Sequence, residues 1–76
     1  MNLNDVYKQT GENDAILSKK SGIPQPTLWR VRTGRVIPLY DTAVKISEAV
    51  GGMLSPMEIM TEAARLNKQY QSEVAA

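Results

Sequence analysis

Along the 76-residue chain the apolar positions fall at helical spacing, and no stretch shows a convincing strand alternation. Ala43, Ile46 and Val50 are separated by three and four positions, as one helix face requires, and Ile59 and Ala63 continue the pattern. Ile16, Leu17, Ile23, Leu28 and Val31 are placed to converge between two neighbouring helices. Glycine and proline divide the chain into five helical pieces. The first covers about 3–10 and stops at Gly11. The second opens behind Asn13, a good N-cap residue, runs to Ser21, and ends at Gly22, where a left-handed backbone is needed. The third covers about 25–33 and stops at Gly34. A connection, RVIPLY, leads to the fourth, about 40–50, which ends at Gly51-Gly52. The fifth opens at Ser55-Pro56-Met57-Glu58: a cap, a proline at the first helical position, and the glutamate of a capping box. The segment VRTGRVI around Thr33-Gly34 is the best hairpin candidate, but it would cut the third helix to one turn. The pattern therefore predicts an all-α protein. The expected architecture is a compact five-helix bundle forming a single domain over 1–76, with a last helix over about 56–71 and a frayed alanine-rich end.

The second and third helices are joined by Ser21-Gly22-Ile23-Pro24. Two short helices with a tight glycine turn and an apolar residue after it form a helix-turn-helix, here over about 14–33. In that motif the second helix enters the DNA major groove and its N-terminal residues reach base edges. This accounts for two prolines in front of a helix. Pro24 stands at the cap and Pro26 in the first turn, where backbone amides have no intrahelical partner to lose.

Charge changes the picture more than composition does. The net charge is only +1, but residues 15–40 hold five basic residues, Lys19, Lys20, Arg30, Arg32 and Arg35, and no acidic one. The remainder holds four basic and eight acidic residues, a balance of −4. Positive charge gathered on one segment is the footprint of a polyanionic partner, with chance clustering in a surface loop as the bland alternative. There is no histidine and no cysteine, and neither a glycine-rich phosphate loop nor a paired-carboxylate arrangement. Catalysis is thus the weakest function class, and no cofactor, metal or small-molecule ligand is expected. No apolar run approaches the length of a membrane span, and the polar, acidic N-terminus is unlike a signal peptide, so the expected location is the cytoplasm.

Leu17, Gly22, Ile23, Gln25, Thr27, Leu28, Arg30, Val31 and Gly34 match the pattern L-x(4)-G-[VI]-x-Q-x-[ST]-[IL]-x-[RK]-[IV]-x-x-G. In these residues the chain resembles the Cro/C1-type (XRE-like) helix-turn-helix proteins, over about residues 13–60. It departs from them at Ser18, where alanine is usual, at Pro24 and Pro26, where polar residues are usual, and at Trp29, which is large for a groove position. The resemblance implies a lambda-repressor-like five-helix domain that binds double-stranded operator DNA, usually as a homodimer, in a phage repressor, Cro-like regulator or antitoxin.

Gln25, at the start of the third helix, has an amide able to pair with adenine N6 and N7. Arg30 lies on the face opposite Leu28 and Val31 and fits guanine O6 and N7, or a phosphate. Thr27 fits a phosphate, a thymine methyl or a first-turn backbone bond. Trp29 fits the sugar–phosphate backbone or thymine methyls, or else covers the edge of a small core. Lys19, Lys20, Arg32 and Arg35 are phosphate candidates, supplying affinity and register without sequence information. The helix start at Tyr40-Asp41-Thr42 could meet a phosphate through its amides, but Asp41 would repel one and reads as a cap. Met53, Leu54, Met57 and Met60 form an apolar group around the start of the last helix, in excess of what a small core needs, and predict a dimer surface. The leading expectation is a transcriptional regulator. The alternatives are an excisionase-like architectural protein that bends DNA, or an antitoxin or adaptor whose last helix docks a protein.

Overall fold

Three of the five helices open on a side chain that accepts from their first-turn amides. In the computed structural model, which describes residues 1–75, α1 spans Leu3–Thr10, α2 Asp14–Ser21, α3 Gln25–Arg32, α4 Tyr40–Ala49 and α5 Pro56–Ala75. Among the described residues there is no strand, so VRTGRVI makes no hairpin. Asn2 and Asp5 form a reciprocal capping box at α1, at 2.9 and 3.0 Å. Asn13 accepts from the Ile16 amide at 2.9 Å, as expected of a cap. Gly11 and Gly22 end α1 and α2 in the left-handed region. Ser55 and Glu58 complete the capping box at α5, each bond 3.1 Å.

Pro24 is the N-cap of α3, and its carbonyl accepts from the Thr27 and Leu28 amides at 3.0 and 3.1 Å. Pro26 is the second helical residue, where a missing N–H removes no intrahelical bond. Two boundaries differ from expectation. The N-cap of α4 is Leu39, with no side-chain bond, so Asp41 lies inside the first turn and is not the cap. Helix α5 continues past Gln71 to Ala75, because no glycine or proline follows Pro56 to stop it.

The core draws on all five helices. Val6, Leu17, Leu28, Ile46 and Leu54 are fully enclosed, with Leu3, Ile23, Val31, Ala43, Val50, Ile59 and Ala63 buried around them. Helix α2 packs on α3 and on α4, and α4 packs on α5. Leu3, Val31, Leu54, Ile59 and Ala63 line a small apolar space between α1, α3 and α5. Ile16 is not part of this core. It is 40% exposed, because Leu17 takes the one buried position of α2 and its neighbour is turned outward. Two hydroxyls tie the turns. Ser18 Oγ donates to the Ile23 carbonyl across the α2–α3 turn, and Ser47 Oγ donates to the Leu54 carbonyl across the α4–α5 turn, both at 2.6 Å.

Gly34 joins the far end of α3 to α5. Its φ is +81°, and a Cβ there would stand 2.7 Å from the carbonyl carbon of Leu66 and closer still to the Leu66 Cβ. The side-chain Nδ2 of Asn67 donates to the Gly34 carbonyl at 2.9 Å and to that of Arg35 at 3.3 Å. Gly22 has a similar φ, +76°, but open space around it. Urea unfolding should separate the two positions. Gly22→Ala is expected to lose about 1 kcal/mol from backbone strain alone. Gly34→Ala is expected to lose about 3 kcal/mol, because strain adds to a collision with α5. Equal losses would mean that α5 does not press on this glycine.

Candidate nucleic-acid interface

The residues expected to meet DNA divide into those the fold leaves open and those it consumes. Gln25, Pro26 and Trp29 of α3 share an open depression with Asp14 and Ser18 of α2. Leu28 and Val31, on the other side of α3, are buried, so the helix presents one face outward. Gln25 and Arg30 are exposed, and among the described residues their side chains have no hydrogen-bond partner. Thr27 is half-buried, and its hydroxyl makes none of the first-turn backbone bonds considered for it. Trp29 is 43% exposed and lies beside Arg35, whose guanidinium carbon sits 5.0 Å from the centre of its ring.

An acidic residue on this face needs explanation, since Asp14 would repel a phosphate. Arg32 supplies it. Its Nη2 reaches Asp14 Oδ2 at 2.8 Å and its Nε reaches Oδ1 at 3.2 Å, a two-point pairing with the carboxylate. The Tyr7 hydroxyl donates to the same Oδ1 at 2.6 Å, and Arg32 Nη1 donates to Asn4 Oδ1 at 3.2 Å. Burial pushes the Asp14 carboxyl up, but the hydrogen bonds from Arg32 and Tyr7 and the charge of Arg32 outweigh it and hold the group below its ordinary value. Burial and the bond to Asp14 together push the Tyr7 hydroxyl far up, so it stays a donor. The hydrogen bond to Asp14 raises Arg32, which remains charged.

This pairing corrects the set of phosphate candidates. Arg32 is committed to Asp14 and Asn4 and is removed from it. Lys20 pairs with Glu12 at the surface, a contact that water screens, so its side chain remains half exposed and its charge is shared. Lys19 is exposed and, among the described residues, has no ion pair. Arg35 is exposed, with a single long bond, 3.4 Å, to the Thr33 carbonyl. The cations of residues 15–40 left without an ion pair among the described residues are therefore Lys19, Arg30 and Arg35.

The expected dimer surface contracts in the same way. Leu54 is 1% exposed and belongs to the core, so it cannot meet a second chain. Met60 packs against that core. Met53 and Met57 remain open, at 38% and 64% exposure. The α3–α4 connection adds apolar surface that the sequence reading treated only as a link: Val36, Ile37, Leu39 and Tyr40 are exposed while Pro38 is buried. No described helix is long and apolar enough to cross a membrane. Comparison of the chain with protein-family models, with curated proteins and with solved structures gives no match.

Neither Asn4 nor Tyr7 carries a local signal: the partner of Asn4, Arg32, lies 28 positions away, and the hydroxyl partner of Tyr7, Asp14, stands on the next helix. The Asp14 cluster sets a pH dependence. A carboxyl held below its ordinary value stabilises the fold above the usual carboxylate range, and that contribution is lost as pH falls through the folded-state value. Asp14→Asn is expected to cost about 2 kcal/mol at neutral pH, since charge-assisted bonds from two helices are weakened. In denaturant titrations the gap to wild type should close below about pH 4, as the native carboxyl protonates. A gap independent of pH would show that the charge on Asp14 contributes nothing.

Proposed function

We propose that the protein is a sequence-specific regulator that binds double-stranded DNA, laying the outward face of α3 in the major groove. The observation that carries this reading is the composition of that face. Gln25 and Arg30 stand open on it, Arg35 lies at its edge beside Trp29, Lys19 is exposed on the preceding helix, and its nearby carboxylate is neutralised from within by Arg32. A face so arranged offers side chains suited to adenine and guanine edges, with cations nearby for the phosphates. The residues shared with the Cro/C1-type proteins support the same reading, in which the chain acts in the cytoplasm by occupying an operator. The exposed Met53 and Met57 suit a homodimer contact, and two copies would read a near-palindromic site.

The test is selection of bound sequences from a randomised duplex pool, followed by titration of wild type and Arg30→Ala at two salt concentrations. Enriched sites are expected, with Arg30→Ala losing about 1–3 kcal/mol and relaxing one or two base positions. Lys19→Ala should instead weaken all duplexes alike and reduce the salt slope by about 0.9. Paired half-sites in inverted order fit the dimeric regulator, whereas direct repeats would replace it with an arrayed architectural protein. Absence of duplex binding at low salt would end the DNA reading.

A further inference from the structure

Arg35 is held from three directions. Its backbone amide donates to the Arg30 carbonyl at 2.8 Å, which anchors it to the last turn of α3. Its carbonyl accepts from Asn67 of α5 at 3.3 Å. Its guanidinium lies over two rings, 5.0 Å from the centre of Trp29 and 4.7 Å from that of Tyr70. Trp29 belongs to α3 and lines the depression with Gln25 and Pro26, so the guanidinium sits at the rim of the candidate interface. Tyr70 belongs to α5 and is half-buried.

A cation held over an aromatic face is attracted by the ring's electrons. A contact with a ring face consumes none of the guanidinium N–H donors, and among the described residues only the distant Thr33 carbonyl accepts from them. An arginine free in water loses rotamer freedom when a phosphate captures it, and that loss subtracts from affinity. Here the side chain is already placed, with donors in hand.

We propose that Trp29 and Tyr70 preset Arg35 as a phosphate contact, which makes Tyr70 of the last helix a positioning residue for DNA binding. The inference rests on the DNA reading of α3, but it assigns a part in binding to a helix outside the motif. Tyr70 acts through Arg35 and touches no base, so it contributes affinity without sequence preference. The spacing of Ala63, Leu66, Asn67 and Tyr70 puts the ring on the side of α5 that faces Gly34 and Arg35.

The experiment is a double-variant cycle on the selected duplex, with Tyr70→Leu, Arg35→Ala, their combination, and Tyr70→Phe as the control that keeps the ring. Tyr70→Leu is expected to weaken binding about three- to five-fold, equally on the selected and a scrambled duplex. Tyr70→Phe should bind as wild type. In the Arg35→Ala background, Tyr70→Leu should have no further effect, because its partner is gone. Trp29 is the one tryptophan of the chain, so its emission in the free protein reports the same cluster, and it should shift in both Arg35→Ala and Tyr70→Leu. Equal losses from Tyr70→Leu with and without Arg35, or wild-type affinity in Tyr70→Leu, would overturn the proposal while leaving the DNA reading intact. If wild type itself binds no duplex, the DNA reading fails and the phosphate role of Arg35 fails with it. Unchanged emission in both variants would show that the cluster does not form.

Discussion

The Asp14 carboxylate stands in the first turn of α2 and accepts from helices on both sides, from Tyr7 of α1 at 2.6 Å and from Arg32 of α3 at 2.8 and 3.2 Å. Hydrophobic burial alone would let the short helices slide against one another, since apolar contacts are not directional. A carboxylate bonded at both oxygens allows little sliding. It ties α1 and α3 to the first turn of α2, while the burial of Leu28 and Val31 decides which face of α3 is open. It also stands at the N-terminal end of its own helix, where a negative charge is favoured. The cost of partly burying this group is offset by two charge-assisted bonds and a hydroxyl, leaving no buried side-chain polar atom unpaired among the described residues.

The same pairing decides the electrostatics of the outward face. Five cations gather between residues 15 and 40, yet they are not equivalent once folded. Arg32 is turned inward as a structural tie, and Lys20 is shared with Glu12. Arg30 is left exposed and without a partner among the described residues, and the Arg35 guanidinium is laid against aromatic rings at the edge of the face. A chain of modest net charge thereby presents a local cationic surface without a competing carboxylate. The opposite end of α3 is tied to α5 through Gly34, where Leu66 packs on a backbone with no side chain between them. Motif and last helix thus form one packed unit, and what α5 does is felt at the end of α3.

Much of the fold could be read from local signals. Gly11, Gly22, Asn13 and the Ser55–Glu58 box marked helix ends correctly because caps are satisfied within a few residues of the chain. The spacing of Ala43, Ile46 and Val50 located the buried face of α4, and that of Ile59 and Ala63 the buried face of α5, for the same reason. Two misjudgements came from treating apolar character as position. Ile16 is apolar but turned outward, and Leu54 is apolar but enclosed by the core rather than available to a partner. Hydrophobicity says that a residue favours burial, while the packing of neighbouring helices decides which residues obtain it.

The amino-acid order by itself determined the five helices, the turn between α2 and α3, and the presence of glutamine and arginine on a helix whose other side is apolar. Those properties follow from contacts three or four residues apart and from conformational limits of glycine and proline. Only the tertiary structure decided which cations are free, because Arg32 meets Asp14 across 18 positions and Asn4 across 28. It alone brought Tyr70 to Arg35 and Leu66 to Gly34. Such pairings depend on how helices cross, and a helix's own sequence period carries no information about which residue of a distant helix will stand opposite.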